Sequence, residues 1–266
     1  MDEQSVTRVD RLGGAALISI NTDLLGRLKK ADASAWYEMW DVFGPSIERL
    51  IGSIASRYFG QETIKDVSQE TLARVYQEIA KFDPNRGVKF STWLYAIAKH
   101  VVYSELTSRN AQKRGGGSKP MSLDQTLYEV STSAPPDAEF EMAVFRAKVY
   151  RALREVEKQA DFTEFECYRM RLTRGIQGKE IADMMGVSEA SVSRYLKRVR
   201  NQIREAVKIA VMGYSWTDDE KAQFDVSGLT NADDDAFDDA LSDIYLIDEQ
   251  TRRDYGKLQK TAATVR

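Results

Sequence analysis

The chain has 266 residues, 42% of them hydrophobic and 30% charged, with a formal net charge of −3. That length holds one large domain or two to three small ones, and no apolar run approaches the roughly 20 residues needed to span a bilayer. Cys167 and His100 are the only residues of their types, which excludes a disulfide framework and a zinc cage.

The sequence predicts an all-α protein, because apolar residues recur at three- and four-residue spacing and convincing period-two alternation is absent. Residues 1–24 read as an N-terminal extension. Leu12–Ile20 is mildly apolar, but Asp2, Glu3 and Asp10 precede it, unlike a secretory signal. Residues 25–110 form the first predicted helical domain. Its early part carries Trp36, Trp40, Phe43, Ile47, Leu50, Ile51 and Ile54 at helical spacing, with a break or kink expected at Gly44-Pro45. A second helix is expected to start at Asp66 and carry Val67, Leu72, Val75, Tyr76 and Ile79 inward. Phe82-Asp-Pro-Asn-Arg-Gly87 punctuates a loop, and Ser91 is the expected N-cap of a helix through Leu106.

Residues 111–137 read as a flexible linker, with Arg114-Gly-Gly-Gly-Ser-Lys-Pro and Ala134-Pro-Pro as its signature. Residues 138–211 form the second predicted helical domain, and Gly178–Lys197 within it has the spacing of a DNA-binding helix-turn-helix. Ala182 falls where two helices cross closely. Gly186 suits a left-handed turn and Ser188 a cap, while Ile181, Met185, Val187, Val192 and Tyr195 are spaced to fill a small core. The outward positions of the second helix are Glu189, Ala190, Ser193, Arg194, Lys197 and Arg198. Arg194, Lys197, Arg198 and Arg200 have the reach for bases or phosphates. The alternative is an amphipathic hairpin with a solvated basic face.

Residues 212–266 are an acidic C-terminal extension. Trp216–Glu249 holds twelve acids against Lys221 alone, and residues 250–266 have five bases and one acid, which leaves residues 1–215 at +4. A mildly basic body with a separate acidic element suits a nucleic-acid face. The extension reads either as a solvated tail or as a segment that mimics DNA or docks on the basic helix-turn-helix, for Phe237, Leu241, Ile244 and Tyr245 sit at helical spacing.

In the first domain, Phe90, Trp93, Tyr95 and Tyr103 alternate with Arg86, Lys89, Lys99 and His100. Such a stretch can hold phosphates and stack unpaired bases, or its aromatic residues can be core. Cys167 reads as packing.

Asp66-Val-Ser-Gln-Glu-Thr-Leu-Ala-Arg-Val-Tyr76 and Phe82-Asp-Pro-Asn-Arg-Gly-Val-Lys-Phe-Ser-Thr-Trp-Leu-Tyr-Ala-Ile-Ala98 resemble region two of bacterial RNA polymerase sigma factors, and the helix-turn-helix resembles their region four. The order, the linker and the lack of a region-three domain resemble the extracytoplasmic-function group over residues 32–207. The resemblance implies a cytoplasmic, non-enzymatic protein without cofactor or membrane insertion. Its implied partners are core RNA polymerase, promoter DNA and, in many small members, an anti-sigma protein. It implies polymerase contacts at Asp66, Gln69, Glu70 and Arg74. It implies downstream-element contact and melting at Asn85, Arg86, Lys89, Phe90, Trp93, Lys99, His100, Tyr103 and Ser104. Upstream-element contact falls to Ser188, Glu189, Ala190, Ser193, Arg194, Lys197 and Arg198. The long acidic extension departs from the family pattern. A helix-turn-helix regulator acting on duplex DNA without polymerase is the alternative, but it leaves the Trp93 segment and the Asp66 helix unexplained. A module that binds proteins without touching DNA is a further one.

Overall fold

The computed structural model describes residues 23–114, 138–247 and 250, and the regular structure among them is helical throughout. Helix α1 (Leu24–Lys29) is short. Helix α2 (Ala33–Ala55) starts at Asp32, whose carboxylate accepts from the Ser34 and Ala35 amides. These bonds, with the Ser34 hydroxyl and Arg27, hold the Asp32 carboxyl down at about 2.

The expected break at Gly44-Pro45 does not occur, and α2 runs through Pro45. Proline removes one backbone bond, but the flanking Phe43, Gly44, Ser46 and Ile47 are buried and packing holds the helix. Gly44 lets the Trp40 ring lie against the backbone, since a Cβ there would sit 2.8 Å from that ring.

Helix α3 (Gln61–Glu78) begins five residues before the expected Asp66, from an extended Gly60. Two 3₁₀ turns, Ile79–Lys81 and Pro84–Arg86, follow, and Gly87 closes the second in the left-handed region at φ 71. Helix α4 (Phe90–Arg114) places Ser91 inside its first turn, buried, rather than at the cap, and extends past Leu106. Of the predicted linker at 111–137, residues 111–114 belong instead to α4, and the rest lies outside the described residues, as do residues 1–22 and 251–266.

The second half comprises α5 (Ala138–Gln159), α6 (Phe162–Arg174), α7 (Gly178–Met185), α8 (Glu189–Gly213), α9 (Asp218–Val226) and α10 (residues 234–247). Helices α2, α3 and α4 pack on one another, α8 packs on α5 and α6, and α2 packs on α5. The buried side chains of both halves therefore form one continuous core, and a smaller cluster around Cys167, Ile181, Ala182 and Val192 lies beside it.

The acidic extension is folded as far as residue 247. Phe224, Leu229, Phe237, Leu241 and Ile244 are buried in the main core, so the described part of it is not a solvated tail. Among the described residues no helix is long and apolar enough to cross a membrane.

Candidate nucleic-acid interface

The helix-turn-helix forms as its local sequence dictates. Gly186 ends α7 at φ 66, and the Val187 amide donates to the Ala182 carbonyl at 3.1 Å. The Ser188 hydroxyl caps α8 by accepting from the Ser191 amide at 3.1 Å. Ile181, Ala182 and Val192 are buried together with Cys167 of α6, and burial pushes the Cys167 thiol up in pKa. Cys167 is thus packing, as expected.

Ser188, Glu189, Ala190, Ser193, Arg194, Lys197 and Arg198 all lie exposed from the turn into α8. Arg198 also pairs with Glu164 of α6, and Arg194 donates to the Ser191 hydroxyl at 3.2 Å. Arg200 behaves differently from the sequence expectation. It turns inward and forms a bidentate pair with Asp238, with 2.9 Å and 2.6 Å bonds, so it reaches no phosphate in this arrangement.

The loop before α4 is built by Asp83, whose carboxylate accepts from the Asn85 amide at 3.0 Å. Asn85 and Arg86 are exposed at its tip. Lys89 pairs with Glu141 of α5 at 2.9 Å. Phe90 is fully buried and Trp93 is 7% exposed. Their rings stack at 5.6 Å, with Phe82 and Phe43 against them. The aromatic stripe is core here, and neither ring offers a face to a base. Further along α4, Lys99 lies 5.9 Å from the Tyr95 and Tyr103 ring centres, and Tyr103 is exposed.

The sequence-predicted polymerase and downstream-element residues meet between α3 and α4. Asp66, Glu70 and Arg74 line a 610 Å³ groove together with His100 and Ser104. Gln69 is exposed on α3 outside that lining. Burial, and secondarily the Arg74 charge, lowers the His100 pKa. The wall is carboxylate on the α3 side near Asp66 and Glu70 and cationic at Arg74, a pattern suited to a charged protein or nucleic-acid partner.

Sequence reasoning missed the contact between this region and the acidic extension. Glu220, 2% exposed, accepts the Phe90 amide on one oxygen at 3.1 Å. Its other oxygen accepts from the Trp216 amide at 2.9 Å, the Thr217 amide at 3.1 Å and the Thr217 hydroxyl at 3.2 Å. The Thr217-x-x-Glu220 capping box was legible as a helix start, but nothing local announces its long-range partner. Lys148, fully buried, donates to the Ser215 hydroxyl at 2.9 Å, and burial, opposed by the Glu220 and Glu141 carboxylates, lowers its pKa to about 8.

Residues 46–112, from mid-α2 to near the end of α4, match the family described as Sigma-70 region 2. The chain is 32% identical over 83 residues to "ECF RNA polymerase sigma factor SigW" of Bacillus subtilis (strain 168), a match over 31% of this chain and 42% of that protein. It is 22% identical over 190 residues to "ECF RNA polymerase sigma-E factor" of Haemophilus influenzae, covering 70% of this chain and 94% of that one. It is also 22% identical over 165 residues to "RNA polymerase sigma factor YlaC" of Bacillus subtilis, covering 62% and 89%. The matched family segment contains the whole α3–α4 groove and the loop at Asn85 and Arg86.

Proposed function

We infer that this chain, a sigma factor of the extracytoplasmic-function type, binds core RNA polymerase, recognises promoter elements and helps melt the DNA for transcription initiation. The carrying observation is the α3–α4 groove, where Asp66, Glu70, Arg74, His100 and Ser104 converge inside the Sigma-70 region 2 match. In this reading, residues 25–110 and 138–211 act as two modules. The α3 face with Asp66, Gln69, Glu70 and Arg74 takes the polymerase. Asn85, Arg86, Lys89, Lys99, His100, Tyr103 and Ser104 take the melted downstream element, and Phe90 and Trp93, core in this arrangement, join them only once uncovered. An opened strand needs cations for its phosphates and ring faces for its bases, and this segment has both residue types.

Ser188, Glu189, Ala190, Ser193, Arg194, Lys197 and Arg198 read the upstream duplex from α8. Their exposure in one row, with exposed cationic side chains at Arg194 and Lys197, suits groove entry. A cytoplasmic location goes with this role, and an anti-sigma protein is a further candidate partner.

The test is transcription from a genomic library with purified core polymerase and the full chain. Initiation at sites sharing a pair of spaced elements is expected. The pair Arg194→Ala and Lys197→Ala should weaken duplex binding and lower the slope of log affinity against log salt by about 0.9 for each phosphate no longer neutralised. Duplex binding with no polymerase-dependent initiation would replace this reading with a stand-alone helix-turn-helix regulator.

A further inference from the structure

Residues 214–247 touch both halves of the molecule, and they do so with different chemistry at each end. At the near end, the Trp216 ring sits 4.6 Å from that of Phe90, 6.3 Å from Phe43 and 6.4 Å from Phe82. The Tyr214 hydroxyl donates to Glu38 of α2 at 2.9 Å, and Glu220 takes the Phe90 amide. That amide lies in the first turn of α4, where the helix itself offers no acceptor. At the far end, Asp238 and Asp234 engage Arg200, Asp234 also engages Arg204, and the Ser242 hydroxyl donates to the Leu172 carbonyl at 2.8 Å. Phe237 and Leu241 are buried beneath them.

We propose that residues 214–247 are an intramolecular latch that adds to the α2–α5 contact in holding the first half of the chain against the second and keeps the Phe90 side of the Phe90–Trp93 cluster covered. This rests on the functional reading above, in which those rings must meet an unpaired strand. The latch does not occupy the DNA-reading row of α8, because Glu189, Ala190, Ser193, Arg194, Lys197 and Arg198 stay exposed. It therefore acts on the separation of the two halves and not by mimicking DNA on the recognition helix. The two ends differ in strength. The far end is held by buried and half-buried ion pairs, whereas the near end rests on one carboxylate, two aromatic side chains and the bond from Lys148 to Ser215. Release accordingly begins at Trp216 and Glu220, while α10 stays on α6 and α8. A factor held mostly closed binds its partner with an affinity reduced by the fraction that is open.

The experiment uses the full chain with spin or fluorescent labels at Tyr58→Cys and Phe162→Cys, two strongly exposed positions on opposite halves. Trp216→Ala with Glu220→Ala is the strong variant. Glu220→Gln is the mild one, since it keeps the side chain's size while its one amide oxygen can serve either the Phe90 amide or the Trp216 and Thr217 donors, not both. The expected result is a longer and broader label separation in both variants. Polymerase-dependent initiation should rise by roughly tenfold in the strong variant, and duplex affinity through α8 should stay within about twofold. An unchanged label separation in both variants overturns the latch, and so does opening without a gain in initiation where the parent chain initiates. If no form, the parent included, binds core polymerase, the sigma reading fails, and the label separation alone decides the latch.

Discussion

Asp238→Ala probes the joint between the acidic extension and the second half. Asp238 is 5% exposed and accepts from the Tyr168 hydroxyl at 2.7 Å and from two nitrogens of Arg200. Burial, with the Asp238 charge behind it, pushes the Tyr168 pKa far up, so the phenol stays a donor. Removing the carboxylate leaves a buried hydroxyl with no acceptor and a buried guanidinium with only half-exposed Asp234, at 2.8 Å. Breaking a buried pair costs about 3–5 kcal/mol, and the surviving Asp234 bond places the expectation near 3 kcal/mol. For a chain of this size that is a fall of about 6–12 °C in Tm. Urea unfolding followed by tryptophan fluorescence should show a lower midpoint at unchanged slope. Combining Asp238→Leu with Arg200→Met should cost less than the sum of the singles, because no unpaired charge remains. A loss below about 1 kcal/mol for Asp238→Ala, or strict additivity in the cycle, would refute the claim that this network anchors α10.

Lys148 gives a pH signature. Its pKa falls from 10.5 to about 8, mainly through burial and with Lys89 adding to it, against the pull of Glu220 and Glu141. Between those values the unfolded chain holds a proton that the folded chain has released, so this site adds stability as pH rises from about 8 toward 10.5. The penalty below pH 8 is roughly 3 kcal/mol, and the stability of the parent minus that of Lys148→Met should climb across that window; a flat difference would contradict the buried charge. Trp93→Ala should cost about 3–5 kcal/mol in thermal unfolding without any DNA present, because the ring is core in the closed form. A loss under about 1 kcal/mol would mean that the ring is free for bases.

The helical class and the helix-turn-helix were legible because their causes are local. Ile181, Ala182, Val192, Gly186 and Ser188 lie within a dozen residues and meet through one tight turn, so spacing alone predicts the packing. The Asp83-Pro84 turn was legible for the same reason. Local signals misplaced the ends of α3 and α4 and the effect of Pro45. There, packing of α2, a distant carboxylate at the start of α4 and an extended Gly60 outweigh the preferences of Asp66, Ser91 and proline.

The sequence by itself determined which residues are apolar and at what period, and where positive and negative charge accumulate along the chain. It did not determine what the apolar faces meet. Periodicity states that Phe90 and Trp93 lie on a buried or stacking face, and the two outcomes share one pattern. Only the tertiary structure brings Glu220 to the Phe90 amide, 130 residues away, turns Arg200 inward to Asp238 and seats Trp216 on Phe90. Burial is a property of one chain segment, whereas partnership depends on which segments the fold closes against each other, and no short window of residues encodes that.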